Sequence, residues 1–322
     1  MKVAIKGLQS SLAEPIALFV GTASFEDRCR TIYEGLAKRP PKSLIFKNAQ
    51  AGPNAERNLQ LMMSAGGESA ERRDVDLDDP VATARSLAAV AVSANDAPAG
   101  CIFVDITTFT HEQLLILYRV LEQARPDRGI VFGYTGADQY SVNTEAAGAW
   151  LSRGVSQVRS VLGFPGSLRP SRRLHLVLLV GFEHERARAV IEAFEPSVLT
   201  LGVGMQSQSV SERHFQTNRR FFEDVQKFVE VRTTLGSAVN TFVFSCVDPD
   251  AARHSILAEV SRFRDHNTVI CPMNTKLSTL GAALAATTEP EVQLCYSRAI
   301  EYNEAGYSTP SDQATLFHHR FS

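Results

Sequence analysis

The chain has 322 residues, of which 44% are hydrophobic and 21% charged, so it is long enough for two hydrophobic cores of ordinary size. The formal net charge of −2 argues against a protein that holds nucleic acid or an anionic membrane by non-specific attraction. The five cysteines are scattered without a Cys-x-x-Cys pair, and the longest apolar runs are too short to span a bilayer. We therefore expect a reduced, cytoplasmic protein without a disulfide framework, a zinc site or a membrane span.

Strands and helices alternate along the first half of the chain. Short apolar runs rich in β-branched and aromatic residues predict strands covered on both faces, at Pro15–Thr22, Ser43–Ala49, Gly100–Thr107 and Gly129–Thr135. Segments with apolar residues at helical spacing lie between these runs. The series predicts an α/β fold with a mainly parallel, Rossmann-like sheet.

The same series starts again near Leu174. Four segments of the first half can be laid, in order, on four of the second: Phe19–Leu36 on Leu179–Phe194, Asn54–Met63 on Gln216–Val225, Phe103–Leu121 on Val269–Ala286, and Ile130–Tyr140 on Val292–Tyr302. Four matching segments in the same order predict an internal duplication. We therefore expect two tandem Rossmann-like lobes, at residues 1–149 and 174–322, joined by a linker at 150–173 that is rich in Gly, Pro and Arg.

Polar residues follow the predicted strands at the edge where parallel sheets bind ligands. The candidate ligand-binding residues are Thr22, Ser24, Arg28, Thr107 and Thr108 in the first lobe, and Arg186, Asn274, Thr275, Lys276 and Ser278 in the second. Thr275 at a helix N-cap with Lys276 beside it would suit a phosphate or a carboxylate. The alternative is a capped helix with an exposed lysine, and for the two arginines it is a salt bridge to Glu26 or Glu183.

Three carboxylates in the same turns would be candidate general bases if the protein is an enzyme: Glu26, Asp105 and Glu183. Ion pairing for the two glutamates, and a helix cap for Asp105, are the alternatives. The histidines show no metal-ligand spacing, and the sequence lacks a Walker loop, a Gly-x-Ser-x-Gly elbow and a Gly-x-Gly-x-x-Gly fingerprint. We expect no metal site and no cofactor such as NAD.

The turn containing Thr275 and Lys276, followed by small residues and an apolar helix, resembles the ligand loop of CARF and SAVED domains, the cyclic-oligonucleotide sensors of prokaryotic antiviral systems. By this resemblance Thr107 and Thr108 would be the degenerate counterpart, and the first-strand loops at Gly21 and Gly181 would complete the sites. The chain departs from the family in having Met273 and Asn274 where the family usually has glycines. The resemblance implies a subunit that binds a nucleotide or other phosphate-bearing small molecule and acts through a separate protein effector.

Two other functions remain open at this point. One is an enzyme that cleaves a nucleotide, as a glycosidase, phosphodiesterase or ring nuclease, with Lys276 stabilising developing charge. The other is a structural subunit of a multi-protein complex. Polar residues paired between the lobes favour sensing, unpaired ones favour catalysis, and an exposed apolar patch favours a scaffold.

Overall fold

The computed structural model describes residues 1–140, 150–231, 239–304 and 307–321. The chain forms two compact units, the first from Met1–Tyr140 with Glu304–Ser322 and the second from Ser141–Asn303. Each unit is built around one mostly parallel sheet with helices between its strands. The predicted α/β class, with two mainly parallel sheets, is confirmed.

The first unit contains a seven-stranded sheet. Its elements are β1 (Lys2–Ala4), β2 (Ile16–Ala23), α1 (Arg28–Gly35), β3 (Lys42–Asn48), α2 (Pro53–Gly66), β4 (Ala70–Val75), α3 (Pro80–Leu87), α4 (Ala89–Asp96), β5 (Cys101–Asp105), α5 (His111–Ala124), β6 (Ile130–Tyr140) and, near the end of the chain, β13 (Ser308–His319). The strand order is β1-β13-β6-β5-β2-β3-β4. Strand β13 is antiparallel to β6 and β1, and the remaining neighbours are parallel.

The second unit contains a six-stranded sheet. Its elements are β7 (Ser152–Ser160), β8 (Leu174–Leu179), α6 (His184–Phe194), β9 (Val198–Gly204), α7 (Glu212–Glu230), β10 (Asn240–Phe244), α8 (Pro249–Arg262), β11 (Asn267–Pro272), α9 (Lys276–Thr288) and β12 (Gln293–Tyr302). The strand order is β10-β9-β8-β11-β12-β7, and only β7 is antiparallel to its neighbour among these described strands.

The central strands form because nearly every side chain on them is buried. All residues of β2, β5 and β11 are buried, which accounts for their continuous apolar sequences. In the first unit Phe19 lies opposite Phe103, and Ile32 of α1 and Leu59 of α2 pack into the same core. Burial of each such side chain stabilises the fold by about 1.5–3 kcal/mol.

The structure corrects the expected lobe boundaries. The segment expected to be a linker, residues 150–173, includes strand β7, which pairs with β12 in the second sheet. Residues 304–322, expected in the second lobe, belong to the first unit because β13 pairs with β6 and β1. The chain therefore builds most of the first sheet, then the whole second unit, and returns to complete the first sheet.

Apart from β1, the two sheets share one strand order. In the first, β2 is flanked by β3 and β5; in the second, β8 is flanked by β9 and β11. The chain moves outward from β2 to β3 and β4 and then crosses back to β5, so β2 and β5 border a topological switch point. Strands β8 and β11 border the equivalent point in the second unit. In open α/β sheets, ligands bind beyond the carboxyl ends of the strands at such points.

No helix among the described residues is long and apolar enough to cross a membrane. These residues also contain no group of three or more His, Cys, Asp and Glu side chains that could hold a metal ion.

The close approach of the two switch-point loops in the second unit makes Gly181 a sensitive position. A Cβ atom there would lie 1.8 Å from the carbonyl oxygen of Met273. We predict that Gly181→Ala lowers the stability of the full chain by about 1–3 kcal/mol or more, measured by chemical denaturation, because backbone must move. At Gly129 no atom lies within 4 Å of an added Cβ, so Gly129→Ala is the control. Equal denaturation midpoints for the two variants would contradict the described packing.

Candidate functional site

In the second unit, the loop between β11 and α9 is fixed by its own side chains. The Asn274 side-chain amide donates to the carbonyl of Val180 at 2.6 Å, which ties this loop to the end of β8 across the switch point. Thr275 is the N-cap of α9, and its hydroxyl accepts from the N–H of Ser278 and donates to the carbonyl of Cys246. Asn274 and Thr275 therefore hold the loop in place.

Lys276 and Ser278 have different environments although both lie in the first turn of α9. The Ser278 side chain is fully buried and donates to the Thr275 carbonyl, so it belongs to the helix cap. Lys276 is half-buried and is the first residue of the helix, and the first turn carries no acidic residue. A cation at a helix N-terminus opposes the helix dipole, and a bound anion would remove that cost.

In the first unit, a cluster of hydroxyl groups connects the loops at the switch point. The hydroxyls of Thr22 and Thr108 are 2.8 Å apart, and Thr108 also donates to the Thr22 carbonyl. Thr107 accepts from the N–H of Thr135 at 3.0 Å. The structure thus brings together three of the predicted residues, whereas Ser24 lies half-buried beyond β2 and its carbonyl accepts from Asn58.

Asp105 is the buried acid of this cluster. It ends β5, is 3% exposed, and accepts from the N–H of Thr107 with one oxygen. Its other oxygen is buried without a hydrogen-bond partner among the described residues, as is the hydroxyl of Thr135. Burial raises the pKa of Asp105 to about 7, although the contacts with Thr107 and the charge of Arg28 act in the opposite direction. Asp105 does not cap α5, because Thr110 does.

A buried glutamate–arginine pair follows the first parallel strand of each sheet, β2 and β8. Arg28 pairs with Glu26 at 2.7 Å and donates to the carbonyl of Thr135 in β6. Arg186 pairs with Glu183 at 2.5 Å and donates to the carbonyl of Ser297 in β12. The salt-bridge alternative for these arginines is confirmed, and each guanidinium also ties the first loop to the fifth parallel strand.

Both glutamates are occupied by further contacts. Ser308 donates to Glu26 at 2.6 Å, and Ser152 donates to Glu183. Each carboxylate therefore balances a buried arginine and accepts from a serine of the antiparallel strand. This arrangement suits a structural role, and it leaves Asp105 as the stronger candidate for a general base.

Sequence comparison of the lobes did not single out two groups that complete these clusters. Tyr140 lies over the Arg28 guanidinium and Tyr296 over that of Arg186, each at 5.4 Å. Asn58 and Asn218 are fully buried. Asn58 donates to a carbonyl after β2, and Asn218 donates to one after β8. These residues lie within the matched segments but not at matching positions: Tyr140 is aligned with Tyr302, and Asn58 with Arg220, so the alignment carried no signal for them.

Two expected correspondences between the lobes need correction. Thr107 and Thr108 were paired with Thr275, but the residue with the same position at a helix N-cap is Thr110, which forms a capping box with Gln113. Gly21 and Gly181 were each expected in the loop after the first strand of their lobe. Gly181 does follow β8, but Gly21 lies inside β2. The loop after β5 is longer than the loop after β11: residues 106–109 separate β5 from its N-cap Thr110, whereas only residues 273–274 separate β11 from Thr275.

The buried carboxyl of Asp105 predicts a specific pH dependence of stability. Its pKa of about 7 in the folded protein exceeds the usual value for aspartate, so stability falls as pH rises from about 4 to 7. We predict that Asp105→Asn and the wild type have similar stability near pH 4. At pH 8 the variant gains up to about 4 kcal/mol relative to the wild type, measured by chemical denaturation. Asp138→Asn at an exposed position is the control, and a pH-independent difference for Asp105→Asn would contradict the burial argument.

Comparisons with known proteins do not assign the chain to a family. No family model matches the chain, and no curated protein matches it. The function is therefore argued from the switch-point loops and the side chains that surround them.

Proposed function

We propose that the protein binds a nucleotide-like, phosphate-bearing ligand at the switch-point loops of its sheets and acts as a sensing subunit. The observation that carries this proposal is the position of the predicted loops. The loops after β2 and β5, and those after β8 and β11, border the switch point of their sheet in each unit. Loops at such points bind ligands in open α/β sheets.

The charge distribution at α9 supports an anionic ligand. Lys276 opens this helix, where backbone N–H groups and the helix dipole also attract negative charge. The loop before it is held by the bond from Asn274 to Val180 and by the Thr275 cap. A fixed loop of this kind binds a phosphate group with little loss of conformational entropy.

The resemblance of the Thr275-Lys276 turn to CARF and SAVED domains leads us to place the protein in a prokaryotic antiviral system. In that setting ligand binding would be passed to a separate effector protein. The five cysteines are buried free thiols, which fits a reducing cytoplasm. The repeated Glu–Arg pairs and buried asparagines support an origin of the two units by duplication.

An enzyme that cleaves a nucleotide is the second candidate, and Asp105 is the observation that favours it. A buried carboxyl with a pKa of about 7 and one oxygen without a partner among the described residues has the properties of a general base. In this alternative Asp105 would accept a proton from the attacking hydroxyl or water. The other two carboxylates, Glu26 and Glu183, would keep their buried arginines in place.

The binding proposal is tested with cyclic di- and trinucleotides added to the full chain. We predict that at least one of them raises the melting temperature of the wild type and that Lys276→Ala weakens its binding about tenfold or more, because a charge-assisted contact is lost. Lys38→Ala, at an exposed position after α1, is the matched control and should bind as the wild type does.

Chromatography of the same mixtures separates the two candidates. A ligand recovered intact supports sensing. Recovery of cleavage products with the wild type, but not with Asp105→Asn, would replace the sensor with the enzyme. Binding that is equal in Lys276→Ala and Lys38→Ala would overturn the assignment to the loop after β11.

A further inference from the structure

A groove on the second unit runs between α6 and α7. It has a volume of about 510 Å³ and is lined by His184, Arg188, Asp224, Lys227, Phe228 and Val231. This volume lies within the range of small-molecule sites in proteins. The groove is formed by the outer surfaces of two helices and includes none of the residues that the sequence predicted for ligand binding.

Basic side chains outnumber acidic ones in this lining. Arg188 and Lys227 are cationic, and Asp224 is the one carboxylate in the set. The ion pair between Lys227 and Asp224 is long, at 3.9 Å, and the lysine side chain is 72% exposed. The two cations against one carboxylate leave the lining with a net positive charge, which favours an anionic ligand.

Arg188 is the least satisfied of these groups. Its Nε is buried and has no hydrogen-bond partner in the described part of the chain. Its guanidinium lies 4.8 Å from the centre of the Phe228 ring, a contact that orients the group without neutralising it. An arginine held in this way presents a planar set of donors, which matches the oxygens of a phosphate.

Aromatic rings extend from the groove into the unit. His184 stacks on Phe221 at 6.0 Å, and Phe221 in turn stacks on Phe182 at 6.1 Å. Rings packed in this way restrict the orientation of His184 at one end of the groove. The groove therefore combines an oriented arginine and an exposed lysine with apolar ring surface, and it has more room than a phosphate alone requires.

We propose that the groove between α6 and α7 is a second binding site, for a small organic phosphate. The phosphate group contacts Arg188 and Lys227, and the organic part of the ligand lies against Phe228 and Val231. The site is independent of the proposed function, because Lys276 and the switch-point loops take no part in it.

Isothermal titration of the full chain with AMP and with inorganic phosphate tests the site. We expect AMP to bind, and Arg188→Gln to raise its Kd about tenfold or more, because a charge-assisted contact is lost. Lys227→Gln at the exposed position should raise the Kd about threefold, as for a weaker surface interaction. Arg219→Gln, at a 60% exposed position of α7 outside the groove, is the matched control and should leave the Kd unchanged.

Neutralising Asp224 gives a test that does not depend on Arg188. We expect Asp224→Asn to lower the Kd for AMP about threefold, because the carboxylate opposes an anion. Weaker binding in Asp224→Asn would contradict an anion site. The proposal is also overturned if neither AMP nor phosphate binds up to about 10 mM, or if Arg188→Gln and Lys227→Gln both bind AMP as the control does.

The same titration distinguishes this groove from the switch-point site. Lys276→Ala should retain AMP binding at the groove. Loss of AMP binding in Lys276→Ala, with retention in Arg188→Gln, would assign that ligand to the switch-point loops and reject the groove. A failure of cyclic nucleotides to bind at the loops would leave the result at the groove unaffected.

Discussion

Burial of the parallel strands on both faces is the constraint on which the rest of the structure depends. Strands β2, β5 and β11 have no exposed residue, so they offer apolar packing on both sides. Most of the polar groups considered for function therefore collect where the strands end. The shared strand order then brings two of these ends together at one switch point in each unit, which is why both sheets concentrate polar side chains there.

The buried arginines show how this edge is held together. Arg28 joins the segment after β2 to a carbonyl of β6, and Arg186 joins the segment after β8 to a carbonyl of β12. Each arginine is neutralised by a glutamate. Removing one partner of such a pair is costly, by about 3–5 kcal/mol, because the other charge stays buried. Arg28 and Arg186 thus stabilise this edge of each sheet, and in our proposal Lys276 would contact the ligand.

Sequence patterns predicted those parts of the fold that local burial determines. Continuous apolar runs identified the central strands, and the repeated order of motifs identified two similar units. Strands β4, β7 and β13 were missed because they carry many polar side chains, and Ala70–Val75 has four charged residues among its six. The return of β13 to the first sheet depends on pairing between distant segments, which no local pattern encodes.

For the candidate site, as for the fold, the sequence predicted local contacts but not those that depend on distant segments. Salt bridges between the two arginines and their glutamates follow from local spacing, whereas the capping box of Thr110 and Gln113 was not predicted, since Asp105 had been considered as the cap. The burial of Asp105 was also not predicted, because it depends on the neighbouring strands β2 and β6 and on α1. The groove between α6 and α7 arises from packing of two helices and has no motif of its own.

The two units differ most at the loop after their fourth parallel strand. In the first, this loop carries buried Asp105 and a hydroxyl cluster; in the second, it is short and places Lys276 directly at the helix start. In our proposal, the short loop of the second unit binds an anion through Lys276 at the start of α9.

Hydrogen exchange of the full chain, measured by mass spectrometry with and without each cyclic di- or trinucleotide, tests that claim most directly. The account predicts slower exchange in the loops after β8 and β11, at residues 180–186 and 273–278, with at least one of these ligands. Unchanged exchange in both loops with every ligand, or protection confined to other parts of the chain, would contradict it.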